Sequence, residues 1–507
     1  MNIKNIKTYI LSGILALSMS SCLDKYPEDS IRMDQAINTV SDMDKLVYGI
    51  YDSFKSSALY SGNLTILPDL QADFVYCVKG YSNAYGDIYR WKDIKATNTD
   101  IESVYADLYD VINRCNFLLD NVDKVKANTN SDKELDKLEQ YQGEAYFARA
   151  LAYSELIKCF CKAYDSDEQA EKELGVVLTE HYYGNEPQKR ATLKESYDFV
   201  LRDLDKAAEY LKVDEDFTGT LYDEIYFNEY ACHALRARVS LYMHRWDDAI
   251  KYASKVIDSK YYVLASCTQK IGNTSYYQYQ WTAGKSTEGI WKVGFTVNSY
   301  GGALGTIFDN YNYVSYRPDY VPETWVINSF DSNDLRAAAI FTTRTTGYEH
   351  ALQWPLLSKY FGDVEFLNNN ILHVHQPMVF RLSEQYLIRA EAYAMNGEYG
   401  KAGKDISTLR TARYSSYGGN TSMSDESSAM KIIEAERVKE LYMEGFRLND
   451  LKRWHKGFER KAADQPAANF VQSSLKVEKD DPLFVWPIPQ HELEAPGSEI
   501  QPNESNK

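Results

Sequence analysis

The sequence predicts a mainly α fold: a scaffold of tetratricopeptide-like helical hairpins that carries a large, irregular, loop-rich insertion. Three observations predict it. Apolar and small residues recur at steps of three and four over long stretches between residues 138 and 257, and again beyond residue 381. These stretches come in pairs joined by tight turns. Between the two sets, residues 266–380 are rich in Gly, Asn, Thr, Tyr and Trp, with several turn signals and few helical periods.

The first element is a leader. Lys4 and Lys7 precede an apolar run from Tyr9 to Met19, too short to span a bilayer as a stable helix, and no acid occurs before Cys22. Ser20 and Ser21 stand directly before Cys22. Ordinary signal cleavage asks only for small residues, whereas lipoprotein processing needs a thiol at the new N-terminus to carry the lipid. Residues 1–21 therefore read as a lipoprotein signal peptide, and Cys22 as a lipidated N-terminus that anchors the chain to a membrane without spanning it. Residues 22–507 read as one domain, divided into a helical part 22–265, a loop-rich binding region 266–380 and a second helical part 381–507.

The formal net charge is −17, a surface that repels nucleic acid and anionic lipid, so neither is expected as a partner. Six further cysteines, Cys77, Cys115, Cys159, Cys161, Cys232 and Cys267, show no zinc spacing and no CxxC pair.

The helices follow in order. Leu138, Tyr141, Ala145, Ala148, Ala152 and Leu156 share one face, and the alanines admit a close partner. Thr192 and Glu195 form a capping box that opens a helix through Tyr197, Leu201, Leu204 and Leu211. Ala231 to Tyr242, a turn at 243–245 and Trp246 to Val256 make an antiparallel helical hairpin of the tetratricopeptide kind. A like pair returns through Tyr386, Ala390 and Tyr393, turns at Asn396-Gly397, and continues through Tyr399, Ala402, Ile406 and Leu409.

Tyrosine is over-represented, 42 against 19 Phe. Its flat apolar face and hydroxyl suit surfaces that stay wet and still bind. A sugar's axial C–H face can rest on such a ring while nearby amides and charges meet its hydroxyls. Tyr81, Asn83, Tyr85 and Trp91 supply this mixture in one loop, and Trp281, Tyr300, Asn310, Tyr311 and Tyr313 in the insertion. These are the candidate ligand-binding residues.

Catalytic signals fail. Ala283-Gly-Lys-Ser286 lacks the earlier glycine of a phosphate loop, since Tyr279 stands there. His373 and His375 could share a strand face, but no third metal ligand is evident. Glu436, Glu440 and Glu444 are expected one turn apart on a single helix face, with Asp450 beyond. Glycosidase carboxylates instead face each other across a cleft, roughly 5–9.5 Å apart. With Arg437, Arg447 and Arg453 nearby, these acids read as a structural charge network. No catalytic residue, metal or cofactor is expected.

Several stretches together resemble the SusD/RagB-like outer-membrane nutrient-binding lipoproteins of Bacteroidetes. They are Cys22 with Leu23-Asp24 and Pro27, GEAYFARALAYSELIK (Gly143–Lys158), the run from Leu174 to Leu211 and HALRARVSLYMHRWDDAIKYASKVI (His233–Ile257). Near the C-terminus RLSEQYLIRAEAYAMNG, ERVKELYMEGFRLNDLKRW (Glu436–Trp454) and FVWPIPQHEL (Phe484–Leu493) complete the likeness. Met19, three residues before Cys22, departs from the usual leucine, and Cys159 and Cys161 from the aromatic and glycine more common there. The resemblance implies a non-catalytic binding face built by inserted loops on a helical scaffold. It also implies a partner, a SusC-like TonB-dependent transporter, and an outer-membrane lipid anchor facing the cell exterior, with Asp24, Glu28 and Asp29 resembling an export signal. The function expected is capture of an oligosaccharide or polysaccharide for import. Oligopeptide capture by the same fold, a surface glycoside hydrolase and a protein-interaction scaffold stay open as alternatives.

Overall fold

The computed structural model describes residues 36–184, 189–212, 224–466 and 468–507. The leader, Cys22 and the acids behind it lie outside these residues. α1 (Val40–Ser53) opens on a capping box between Thr39 and Asp42. α2 (Asn63–Gln71) and the short strand β1 (Val75–Cys77) follow. Two 29-residue helices come next, α3 (Thr99–Ala127) and α4 (Asp132–Phe160). The side chain of Asn98 caps α3 by accepting from the Asp100 and Ile101 amides, both at 3.1 Å.

Leu138, Tyr141, Ala145, Ala148, Ala152 and Leu156 all point inward from α4, as their spacing requires. The predicted capping box opens α5 (Leu193–Tyr210): Glu195 N–H donates to Thr192 Oγ1 at 3.1 Å, and Thr192 N–H to Glu195 Oε2 at 2.8 Å. Where α4 meets α5, a Cβ on Gly143 would lie 2.7 Å from Tyr210 Cβ. The helices approach closely because one residue has no side chain. α6 (Glu229–Tyr242) and α7 (Trp246–Ser259) form the next hairpin.

The chain then leaves the helical stack. Within the insertion, β2 (Gly289–Lys292), β3 (Tyr320–Pro322), β4 (Phe341–Thr345) and β5 (Gln353–Leu357) are short, and β6 (Met378–Arg381) leads back to the helices. β2 pairs antiparallel with β6, β3 with β1 and β4 with β5, each pair making a two-stranded sheet. On its return α8 (Leu382–Met395) packs directly against α7, so the stack continues as though the insertion were absent. α9 (Tyr399–Arg413), α10 (Glu426–Glu440) and the short α11 (Arg447–Arg453) complete it, with Gly397 at φ +75° in the α8–α9 turn. No helix among the described residues is long and apolar enough to cross a membrane. All six cysteines after Cys22 are buried and free.

The charge network expected near the C-terminus exists, with two corrections. α10 ends at Glu440, and Met443 (φ +58°) and Gly445 (φ +83°) turn the chain, so Glu444 is not on the helix of Glu436. The partners also differ. Arg336 of the insertion pairs with Glu436 at 2.7 Å and Glu440 at 2.8 Å. Arg413 at the end of α9 bridges Glu440 at 2.7 Å and Glu288, just before β2, at 2.9 Å. Arg381 at the end of β6 grips Glu444 with two bonds of 2.8 Å. Of the arginines expected there, Arg437 and Arg453 do hold Asp450, while Arg447 pairs with Asp73 and Arg453 also with Glu391. These groups are buried. Burial alone would push Glu436 up, but Arg336, Lys439 and Arg410 outweigh it and hold the carboxyl down to about 2.

Glu440→Ala would leave Arg336, Arg381 and Arg413 short of a buried partner, and is expected to cost about 3–5 kcal/mol. Urea unfolding reads this directly, and an unchanged midpoint contradicts it. The pH dependence has a definite sign. Glu436 has a folded-state value below its unfolded one, so its contribution is complete above about 4.5 and drains as pH falls toward about 2. Acid unfolding followed by circular dichroism in Glu436→Gln should lack that part of the wild-type loss.

Candidate functional site

β1 and β3 pair with Val75 opposite Pro322 and Cys77 opposite Tyr320. This short ladder sets the loop after β1 beside the loop before β3, although some 240 residues separate them in sequence. Asp319 fastens the two: its carboxylate accepts from Ser82 N–H and from Ser82 Oγ–H, both at 2.7 Å. Tyr320 Oη–H donates to the Ala84 carbonyl at 2.6 Å, and the Tyr81 and Tyr320 rings meet edge to face at 5.9 Å.

In the first loop Arg90 donates to Tyr81 Oη at 2.6 Å and to Asn83 Oδ1 at 2.7 Å. Asn83, Tyr85, Trp91 and Asp93 all adopt left-handed φ, between 51° and 67°. Such conformations are costly for side-chain-bearing residues and persist where surrounding contacts impose them. Burial pushes the Tyr81 hydroxyl up to about 12, so it stays protonated and available for hydrogen bonding at neutral pH.

The insertion contributes an aromatic cluster. Tyr311 and Tyr316 stack at 4.5 Å between ring centres, and Tyr313 and Phe361 flank Tyr311 at 5.9 and 5.8 Å. The loop is held from inside. Tyr311 N–H donates to His373 Nε2 at 2.9 Å, and Asn312 Oδ1 accepts from the Val314 and Ser315 amides. Tyr313 is 58% exposed, and Asn310 lies exposed at φ 39°. Arg344 sits 5.2 Å from the Tyr316 ring centre, and Arg317 lies 5.8 Å from that of Tyr348.

Tyr348 joins the two halves. Its hydroxyl donates to the Pro318 carbonyl at 2.8 Å, and its ring lies 3.3 Å from where a Cβ on Gly80 would be. With φ +85° as well, that position suits glycine alone. Beside it opens a cavity of about 330 Å³, lined by Lys79, Arg317, Tyr348, His350 and Asn469 among others.

Tyr81, Asn83 and Tyr85 therefore stand next to the insertion, whose own Tyr311 and Tyr313 lie together. Three expected residues fall elsewhere. Trp281 is 2% exposed: its helix, Tyr276–Thr282, turns inward, and Lys359 Nζ sits 4.0 Å from the ring centre. That indole covers the buried charge network and offers no face to a ligand. Trp91 is half-buried, wedged edge-on against Phe458 and Phe484 with its N–H donated to the Gln71 carbonyl. Tyr300 is exposed but packs on Phe366, beside a separate groove lined by Lys55, Asp107, Asp110 and Arg114.

Tyr316, Arg317, Arg344, Tyr348 and Phe361 belong to the surface and were not singled out from the sequence. Tyr316 and Arg317 stand within three and four residues of Tyr313, a proximity that could have included them. Tyr348 and Phe361 arrive only through folding. His375 pairs with Asp363 at 2.6 Å, while His373 serves Tyr311, so the two imidazoles do not converge. Among the described residues no group of three His, Cys, Asp or Glu side chains could hold a metal ion.

Two family descriptions match this chain: "SusD family" over residues 341–503, and "Starch-binding associating with outer membrane" over residues 22–241. The chain belongs to the SusD/RagB-like family. A SusD-like protein of Formosa agariphila is 21% identical, with 90% of each chain covered. Among solved structures, a SusD superfamily protein of Bacteroides thetaiotaomicron superposes with TM-score 0.75 at 24% identity, covering 92% of this chain and 99% of that one. A SusD-like carbohydrate binding protein of Bacteroides vulgatus gives TM-score 0.72 at 19% identity, covering 91% and 97%. The SusD fold thus accounts for both the helical stack and its interruption.

The two kinds of aromatic residue should separate in stability measurements. Trp281→Ala is expected to cost about 3–5 kcal/mol as a buried-ring deletion, whereas Tyr313→Ala should stay within about 0.5 kcal/mol of wild type. Urea unfolding of both variants checks this, and equal losses would contradict the assignment.

Proposed function

We propose that this SusD-family chain is a non-catalytic surface protein that captures an oligosaccharide or polysaccharide and passes it to a SusC-like TonB-dependent transporter. The observation that carries the reading is the partly exposed Tyr311–Tyr313–Tyr316 cluster, tied through Asp319, Tyr320 and Tyr348 to the Tyr81–Asn83–Arg90 loop, with an open cavity beside Tyr348 and Arg317. Rings supply flat apolar faces, and the adjoining amide and guanidinium groups supply directional partners for hydroxyls.

A hydrolase reading has little to work with here. Asp319 is occupied by Ser82, Asp87 is paired with Arg90, and Glu436, Glu440 and Glu444 are locked among buried arginines. The name of the Bacteroides vulgatus structure, a carbohydrate binding protein, and the family description that mentions starch and the outer membrane support the same direction. In this reading Cys22 carries the lipid anchor, residues 22–507 act as one domain, and the binding face looks outward from the outer membrane. The 266–380 region and the loop after β1 then share the task of holding the ligand.

Calorimetry of residues 23–507 against a panel of oligosaccharides and oligopeptides tests the proposal. Binding of a glycan without product release is expected, weakened by about 1 kcal/mol in Tyr311→Ala or Tyr313→Ala. Released product would overturn the non-catalytic claim. Binding of peptides alone would move the ligand class.

A further inference from the structure

The net charge of −17 makes an unneutralised surface arginine unusual in this chain. Surface arginines elsewhere hold an acid: Arg90 pairs with Asp87 at 3.1 Å, Arg114 with Asp110 at 2.6 Å and Arg202 with Glu180 at 3.0 Å. Arg317 and Arg344 are both exposed, and among the described residues neither pairs with a carboxylate. Each lies instead beside a tyrosine ring of the proposed glycan surface, Arg317 by Tyr348 and Arg344 by Tyr316.

The segments that carry the two are adjacent. Tyr316 and Thr346 form a parallel bridge, Gly347 N–H donates to the Tyr316 carbonyl at 2.8 Å, and Arg317 Nε lies 3.5 Å from where a Cβ on Gly347 would sit. Arg317 also lines the cavity, with Lys79 and His350 beside it and Glu349 as the one acid in its lining. Apart from Glu349, the acids nearest this charge do not cancel it. Asp319 accepts two bonds from Ser82. Asp309 is buried behind the tyrosines, and burial pushes its carboxyl up to about 8, with Arg344 offsetting only part of that rise. It is therefore mostly uncharged at neutral pH and does not neutralise Arg344.

A guanidinium beside an aromatic face is partly pre-ordered, and its N–H fork matches the two oxygens of a carboxylate or sulfate. We infer that the ligand of this surface is an anionic oligosaccharide, whose carboxylate or sulfate groups are taken by Arg317 and Arg344 while its rings rest on the tyrosines. The inference rests on the glycan-binding reading above and adds the ligand's charge to it.

The test is calorimetry of the full chain in neutral detergent. The probes are oligogalacturonate and its carboxyl-reduced form, and a sulfated galactan oligosaccharide and its desulfated form, each at low and high salt. The two pairs distinguish carboxylate from sulfate as the recognised group. Binding of at least one anionic member is expected, at least about tenfold tighter than its neutral counterpart and weakened by salt. Arg317→Gln and Arg344→Gln, both at exposed positions, should each weaken it roughly tenfold or more, the cost of one charge-assisted contact, and narrow the gap between the anionic member and its neutral counterpart. Neutral members binding as tightly, with both variants unaffected, would overturn the anionic assignment and leave glycan capture standing. Binding of no member of either pair would overturn both.

Discussion

The structure depends on one buried interaction: the lattice in which Arg336, Arg381 and Arg413 share Glu288, Glu436, Glu440 and Glu444. Its members come from the insertion, from its C-terminal junction with the helices, and from α9, α10 and the turn beyond α10. Removing so many charges from water is expensive, and apolar residues of similar volume would stabilise the fold at least as well. What the lattice adds is position. A guanidinium displaced from its carboxylates leaves several buried charges unpaired at once, so the insertion can sit on the helical stack in one arrangement only. Trp281 and Lys359 close over this lattice, which is why that indole is unavailable to a ligand.

The rest of the architecture follows from the separation of duties that this anchoring allows. Helical hairpins with small residues at their contacts, such as Gly143 against Tyr210, form a stack that continues from α7 to α8 without reference to the insertion. The insertion needs little regular structure of its own. Its two-stranded sheets serve as fasteners, and the pairing of β1 with β3 brings the Tyr81–Arg90 loop to the tyrosine cluster. Left-handed backbone at Asn83, Tyr85, Asn310 and Tyr313 is tolerated because the loops are tied down on both sides, by Asp319 and by His373. A rigid scaffold bearing irregular aromatic loops is the arrangement in which recognition can change without refolding the protein.

The helical part of this organisation was legible in the sequence because it is local. Periodicity placed the buried face of α4, the Thr192–Glu195 box marked the start of α5, and Asn396-Gly397 marked a turn. The expectation for Glu444 failed for a local reason too: positive φ at Met443 and Gly445 ends a helix that the acid spacing alone would continue. The binding surface was legible in composition and only partly in detail. Exposed Tyr313 and buried Trp281 occupy similar Tyr- and Gly-rich stretches, and what separates them is whether a distant charge lattice needs a cover. Phe361 could not be paired with Tyr311, nor Tyr348 with Gly80, from sequence, since chain reversals between them set their contacts. The arginines at the surface stood out only once the acids held by the other surface arginines were known.

Hydrogen exchange of the full chain, free and saturated with the tightest ligand it binds, tests the central claim most directly. Occupancy of the joined surface predicts new protection in residues 79–93 and 310–350, with the helical stack and the backbone around Trp281 unchanged. Protection confined to the Tyr300 groove between residues 52–57 and 299–302, with none in the two loops, would contradict the account.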